Sequence, residues 1–183
     1  DEKRKEQLKR YYKYSQTEEP QGKMPVQLNY PIAVVVTQVF PETPLKEMVD
    51  ILSSRGWIHR KTLTEHDRER LLKRLELARN WLRKYAPEDV KFEVQAHVPK
   101  NIELTAKEKK ALHTIAELLK EKEYDEKTLF NEFYNVSNKL DLKPEEFFKA
   151  AYKVLLNKER GPKLAPFILA LGKEKVIKLF EGI

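Results

Sequence analysis

The chain has 183 residues, enough for one sizeable core or two small ones, and its 36% charged against 40% hydrophobic residues make it too apolar for a disordered chain and too charged for a membrane protein. Its 36 Lys and Arg against 29 Asp and Glu leave a net charge of +7, a balance that favours nucleic acid or another polyanion as partner. The absence of cysteine excludes disulfides and thiolate metal sites, and no run approaches the ~20 apolar residues of a membrane span.

Residues 2 to about 15 carry Leu8, Tyr11 and Tyr12 at helical spacing among many charges, the pattern of a partly exposed helix or the tail of one. The charged opening lacks the apolar core of a signal peptide, so a cytoplasmic protein is expected. A first residue that is Asp, inside a helical pattern, leads to the expectation of a piece of something longer. Pro20, Gly22 and Pro25 then mark residues 16–30 as a loop.

Residues 31–40 are ambiguous, since their β-branched content argues strand while Pro31 suits a first helical position. Ile32, Val35, Val36, Val39 and Phe40 fall at i, i+3, i+4, i+7 and i+8, and a helix with that face is expected. In the next helix Thr43 is the expected N-cap and Pro44 the first helical residue, with Leu45, Met48, Val49 and Leu52 as one face and Gly56 at the close. Thr64 opens the longest helix, with Asp67 in its first turn and a stripe of Leu71, Leu75, Ala78, Leu82 and Tyr85. That helix should span about 22 residues, or ~33 Å, before Pro87 stops it.

From Asp89 to Leu104 the period changes: Phe92, Val94, Ala96 and Val98 alternate with polar residues. With no second run to pair with, this is an extended connector packed on helices, with a boundary near Pro99. Five helices in short succession follow. Thr105 with Glu108 forms a capping box ahead of Leu112, Ile115, Leu118 and Leu119. Asp125 caps a helix that buries Leu129, Phe130, Phe133, Val136 and Leu140. Pro144 begins one that buries Phe147, Phe148, Ala151, Tyr152, Leu155 and Leu156. Beyond Gly161 and Pro162, a short helix carries Leu164, Phe167, Ile168 and Leu171 with Pro166 in its first turn, and after Gly172 a last one carries Val176, Ile177 and Phe180. The expected fold is all-α, a cage or bundle of about eight or nine helices with one extended connector. Its expected parts are an N-terminal helical subdomain, 1–98, with the long helix near 64–85, and a C-terminal one, 99–183, both within one body.

No catalytic pattern is present. The five glycines are isolated, which excludes a Gly-rich phosphate loop, and the four histidines at 59, 66, 97 and 113 are too scattered for a metal site. No catalytic residue, metal or cofactor is therefore assigned to this chain. Binding remains, through exposed aromatics next to basic groups. One such cluster is Arg55, Trp57, His59, Arg60 and Lys61, just past a helix end, although Trp57 is as well placed to plug the seam between two helices. A second is Lys149, Lys153, Lys158, Arg160 and Lys163, where five cations meet one acid between 149 and 163. Lys149 and Lys153 lie one helical turn apart, so they point along one rim with the turn beyond them. The seven cations of the long helix alternate with acids, and intrahelical ion pairs are expected to account for most of them.

The runs Leu-Phe-Asn-Glu-Phe-Tyr at 129–134, Lys-Pro-Glu-Glu-Phe-Phe at 143–148 and Glu-Arg-Gly-Pro-Lys-Leu-Ala-Pro-Phe at 159–167 resemble the C-terminal end of archaeal class I lysyl-tRNA synthetases. The resemblance extends across most of the chain, including Tyr-Tyr-Lys-Tyr-Ser-Gln at 11–16 and the segment from Pro41 to Trp57. The abundance of Lys, Glu and Arg without Cys also fits a thermophile. The His-Ile-Gly-His and Lys-Met-Ser-Lys-Ser elements that hold the catalytic site in that family have no match. The resemblance thus implies a module that recognises the anticodon arm of tRNA(Lys), partnered by a catalytic domain missing from this chain, to which ATP and lysine belong. The alternative function is a helical protein-interaction module with a generally basic surface.

Overall fold

The computed structural model describes residues 2–15, 25–55, 57–58 and 62–183. Among them are nine helices and no strand: α1 Glu2–Tyr14, α2 Tyr30–Val39, α3 Leu45–Ser54, α4 Glu65–Lys84, α5 Ala106–Glu121, α6 Glu126–Lys139, α7 Pro144–Leu156, α8 Leu164–Leu171 and α9 Lys173–Glu181. The expected all-α architecture is what the chain adopts. Gly56 lies outside the described residues, as does most of the loop expected at 16–30.

Local signals set most of the helix starts. Thr64 with Asp67, Thr105 with Glu108 and Asp125 with Thr128 each form a reciprocal capping box at α4, α5 and α6, satisfying amides that have no partner within the helix. Asp67 is buried there and also accepts the Val26 amide at 2.8 Å, which seats the incoming chain on α4. The α3 cap differs from expectation: Pro44 rather than Thr43 is the N-cap, with φ −56° and ψ 139°, since the first turn closes from the Met48 amide to the Pro44 carbonyl at 3.1 Å, while the Thr43 carbonyl accepts from Arg79 at 2.9 Å.

Residues 31–39 are helical and Phe40 is the C-cap, with Pro31 one place later than expected. The buried set, Ala33, Val34, Val36, Thr37 and Val39, is shifted from the predicted face: of that face Val36 and Val39 are buried, while Ile32, Val35 and Phe40 are half-buried, since α2 packs against both α4 and α8. Two other stripe assignments are corrected. Tyr85 is 74% exposed, because α4 ends at Lys84 and Ala86 takes the inward position. Phe130 is 44% exposed, since α6 turns only Leu129, Phe133, Val136 and Ser137 inward.

Two apolar clusters hold the chain together. The first combines Leu28 and Ile58 with α2, α3 and α4 around Met48, Leu52, Leu71 and Leu75. The second joins α5 to α9 around Phe133, Phe147, Phe167 and Phe180, each 0 or 1% exposed, and burial of each such ring stabilises by about 1.5–3 kcal/mol. The connector runs without regular structure and lays Phe92, Val94 and Val98 on the second cluster. Phe92 meets Phe167 edge to face at 5.4 Å, and the Gln95 amide donates to the Leu155 carbonyl at 2.9 Å. Phe40 packs against both clusters.

Candidate nucleic-acid interface

The turn between α7 and α8 is built to hold one shape. Asn157 ends α7 in the left-handed region, φ 52°, which Asn tolerates, and its amide donates to the Lys153 carbonyl. Gly161 then presses on the helix: a Cβ there would meet Leu156 Cδ1 at 2.7 Å and Tyr152 Cδ1 at 2.8 Å. The Tyr152 hydroxyl donates to the Pro162 carbonyl across the turn, and burial pushes its pKa up to about 12. Helix end, glycine and tyrosine together fix residues 157–163 against α7.

On this frame the structure brings Lys149, Lys153 and Arg160 around Glu159. Lys149 pairs with the Glu159 carboxylate at 2.6 Å and holds its pKa below the usual range, with Lys153 and Arg160 adding to the effect. Lys153 also donates to the Glu103 carbonyl at 3.3 Å. Lys158 turns the other way and donates to the carbonyls of Glu88 at 3.3 Å and Lys91 at 2.5 Å, tying the turn to the chain after α4. Arg160 and Lys163 are exposed and have no ion-pair partner among the described residues; Lys163 is the N-cap of α8, where the helix dipole adds positive charge.

Beside the turn lies a cleft of about 450 Å³, walled by Tyr30 and Trp81, which meet edge to face at 6.3 Å, with Phe92 beyond them and Lys91, Lys158 and Arg160 at its margin. Three cations face a single acid, Asp89, in this lining. Sequence reasoning missed Tyr30, Trp81 and Lys91. A tryptophan beside the apolar stripe of a helix, with Arg79, Arg83 and Lys84 around it, was the available signal.

The first predicted cluster is arranged differently. His59 and Arg60 lie outside the described residues, as does Lys61. The Arg55 guanidinium donates to the Leu169 and Ala170 carbonyls at the end of α8 and lies 5.2 Å over the Phe40 ring. It also closes on Gly172, where φ is +92° and an added Cβ would stand 3.1 Å from Nη2. Trp57 is half-buried against the first core and lines a cleft of about 690 Å³, whose rim carries Glu123, Asp125, Glu126 and Glu174 against Arg55, Lys122 and Lys173. Four carboxylates against three cations do not favour a phosphate chain there.

The cations of α4 are not explained as expected. Among the described residues only Lys73 pairs within the helix, with Glu76 at 3.0 Å; Arg68 reaches Asp50 of α3 at 3.1 Å and Arg79 binds the Thr43 carbonyl. Neighbouring helices supply acceptors that periodicity cannot show. Among the described residues no group of three or more His, Asp and Glu is placed to hold a metal ion, and no helix is long and apolar enough to cross a membrane.

Residues 61–179 match a family model described as an anticodon binding domain. The chain belongs to that family. It is also similar to lysine-tRNA ligases: 34% identical to that of Methanosphaera stadtmanae over 98% of this chain and 35% of the relative, and 36% identical to that of Thermococcus kodakarensis over 94% and 32%. The Borreliella burgdorferi lysine-tRNA ligase is 32% identical over 97% of this chain and 33% of its own length. The chain thus spans about a third of these relatives. The matched span of the anticodon binding domain takes in α4 to α8, most of α9, Trp81 and the whole cationic turn, and it leaves out Arg55 and Trp57.

Proposed function

We propose that this chain is the C-terminal module of a class I lysine-tRNA ligase and that it holds the anticodon arm of tRNA(Lys). The observation that carries the reading is the rigid turn at 157–163, which presents Arg160 and Lys163 beside a cleft walled by Tyr30 and Trp81. An anticodon loop is single-stranded, so its bases splay onto aromatic faces while Lys and Arg hold the phosphates and set the register. Lys149, Lys153, Lys158, Arg160 and Lys163 supply the cations, and a turn that needs no rearrangement spares the complex the cost of ordering it. Trp57, with His59 and Arg60, is a subsidiary contact for a base and not for the phosphate chain, which the acidic cleft beside Trp57 disfavours, while Arg55 acts through the fold by holding α8.

Residues 1–98 and 99–183 form one anticodon-binding body in this reading. ATP and lysine belong to a catalytic domain of the longer protein, which is the module's other partner, and the protein works in the cytoplasm. Opposite charge changes at the turn test the assignment. Arg160→Ala should weaken binding to a tRNA(Lys) anticodon hairpin, whereas Glu159→Gln, which frees Lys149, should tighten it by about two- to five-fold, the size of one screened surface pair. Affinity unchanged in both variants would place the RNA elsewhere.

A further inference from the structure

The anticodon-binding reading uses the α7–α8 turn and leaves a second aromatic surface unexplained. On the outer side of α6 and α7, Phe130 and Tyr134 are 44% and 38% exposed and meet at 5.0 Å, and Tyr134 meets Phe148 edge to face at 6.1 Å. Phe133 and Phe147 support the row from beneath, at 6.0 and 5.6 Å from Phe148. We propose that the row Phe130, Tyr134 and Phe148 is a stacking platform for unpaired bases of the bound RNA, continuous with the cationic turn; the proposal rests on the anticodon-binding reading.

Three observations select RNA over a protein as occupant. The row is all rings: Phe130 and Tyr134 are the large apolar side chains that α6 exposes, Phe148 is half-buried beside them, and rings offer π-faces to any base. Exposed Asn131 and Asn138 flank the rings on α6, amides that can both donate to and accept from base edges. The row also leads toward the cationic turn, since Tyr152 stands one helical turn beyond Phe148 on the same face of α7 and its hydroxyl donates to the Pro162 carbonyl. From Phe148 to the end of α7 is about 12 Å at the helical rise, so one strand can use the platform and the turn together.

The test compares the intact protein with Phe130→Leu and Tyr134→Leu, which keep apolar bulk and remove the ring, and with Tyr134→Phe, which keeps it. Affinities are measured for a tRNA(Lys) anticodon hairpin and for the same hairpin made abasic in the loop, after thermal midpoints within ~2 °C of wild type confirm folding. Each leucine variant should lose about 5- to 150-fold on the intact hairpin, the range of base stacking on an aromatic ring. Tyr134→Phe should bind as wild type, and the abasic hairpin should not distinguish any of the four proteins. Leucine variants that bind the intact hairpin as wild type does, while Arg160→Ala weakens it, would overturn the platform and leave the anticodon reading standing; the row would then suit a protein partner. Equal losses on both hairpins would also overturn it. A wild-type chain that does not bind the hairpin would bring down both.

Discussion

Tyr152 holds the cationic turn through one hydroxyl. Its bond to the Pro162 carbonyl is made from a half-buried ring against which Gly161 packs. Tyr152→Phe should cost about 0.5–1.5 kcal/mol and lower Tm by roughly 2–4 °C per kcal/mol, read by calorimetry. The pKa also gives a pH signature. Burial raises it from 10.0 to about 12, so the unfolded chain loses this proton first; the contribution is full below pH 10 and is lost as pH rises through about 12. Wild type should therefore lose stability more steeply than Tyr152→Phe between pH 10 and 12, and parallel curves would show that the hydroxyl titrates as if exposed. At this scale the sequence made charge legible but not its use. Five cations between 149 and 163 are visible in a single line, yet the bonds from Lys149 to Glu159 and from Lys158 to the Glu88 and Lys91 carbonyls depend on where the chain returns.

Among the elements, α8 depends most on a residue far from it in sequence. It has eight residues, and Arg55 binds carbonyls at its C-terminal end that have no partner within the helix. Arg55→Ala should destabilise the protein by about 1–3 kcal/mol through those bonds and the contact with Phe40. Binding of the anticodon hairpin well below Tm should stay within about two-fold of wild type; a large loss of affinity with an unchanged melting curve would make Arg55 a direct RNA contact. Helix starts were readable in advance because a capping box is local chemistry: Thr64, Thr105 and Asp125 each sit three residues before their partners. Burial at helix ends and edges was less so. Phe130 and Tyr85 fit their stripes by spacing and still face outward, since which arc of a helix is covered is decided by its neighbours.

For the whole molecule, the two apolar clusters are stitched by Phe40, by Arg55 on α8 and by Lys158 on the chain at 88–91. That stitching leads us to expect one cooperative thermal transition for residues 1–183; two transitions would mean separate bodies divided near Pro99. The same stitching forms the cleft, because Tyr30 and Trp81 pack on the first cluster and Arg160 and Pro162 come from the turn between α7 and α8. A cleft made between distant parts of the chain leaves no spacing in the sequence, which is why its cations Lys158 and Arg160 stand out in a single line and its rings Tyr30 and Trp81 do not. Basic residues occur along the whole chain, 36 Lys and Arg among 183 residues, so salt-sensitive RNA binding alone would fit more than one part of the surface. Neutralising about four phosphates predicts a log-log salt slope near −3, a loss of roughly 60-fold between ~50 and ~200 mM. The decisive measurement is the affinity of the chain for tRNA(Lys) against the same tRNA with a changed anticodon, at those two salt concentrations. Both affinities are expected to fall with salt while the preference for the lysine anticodon persists; equal affinities that fall together would contradict a role in reading the anticodon.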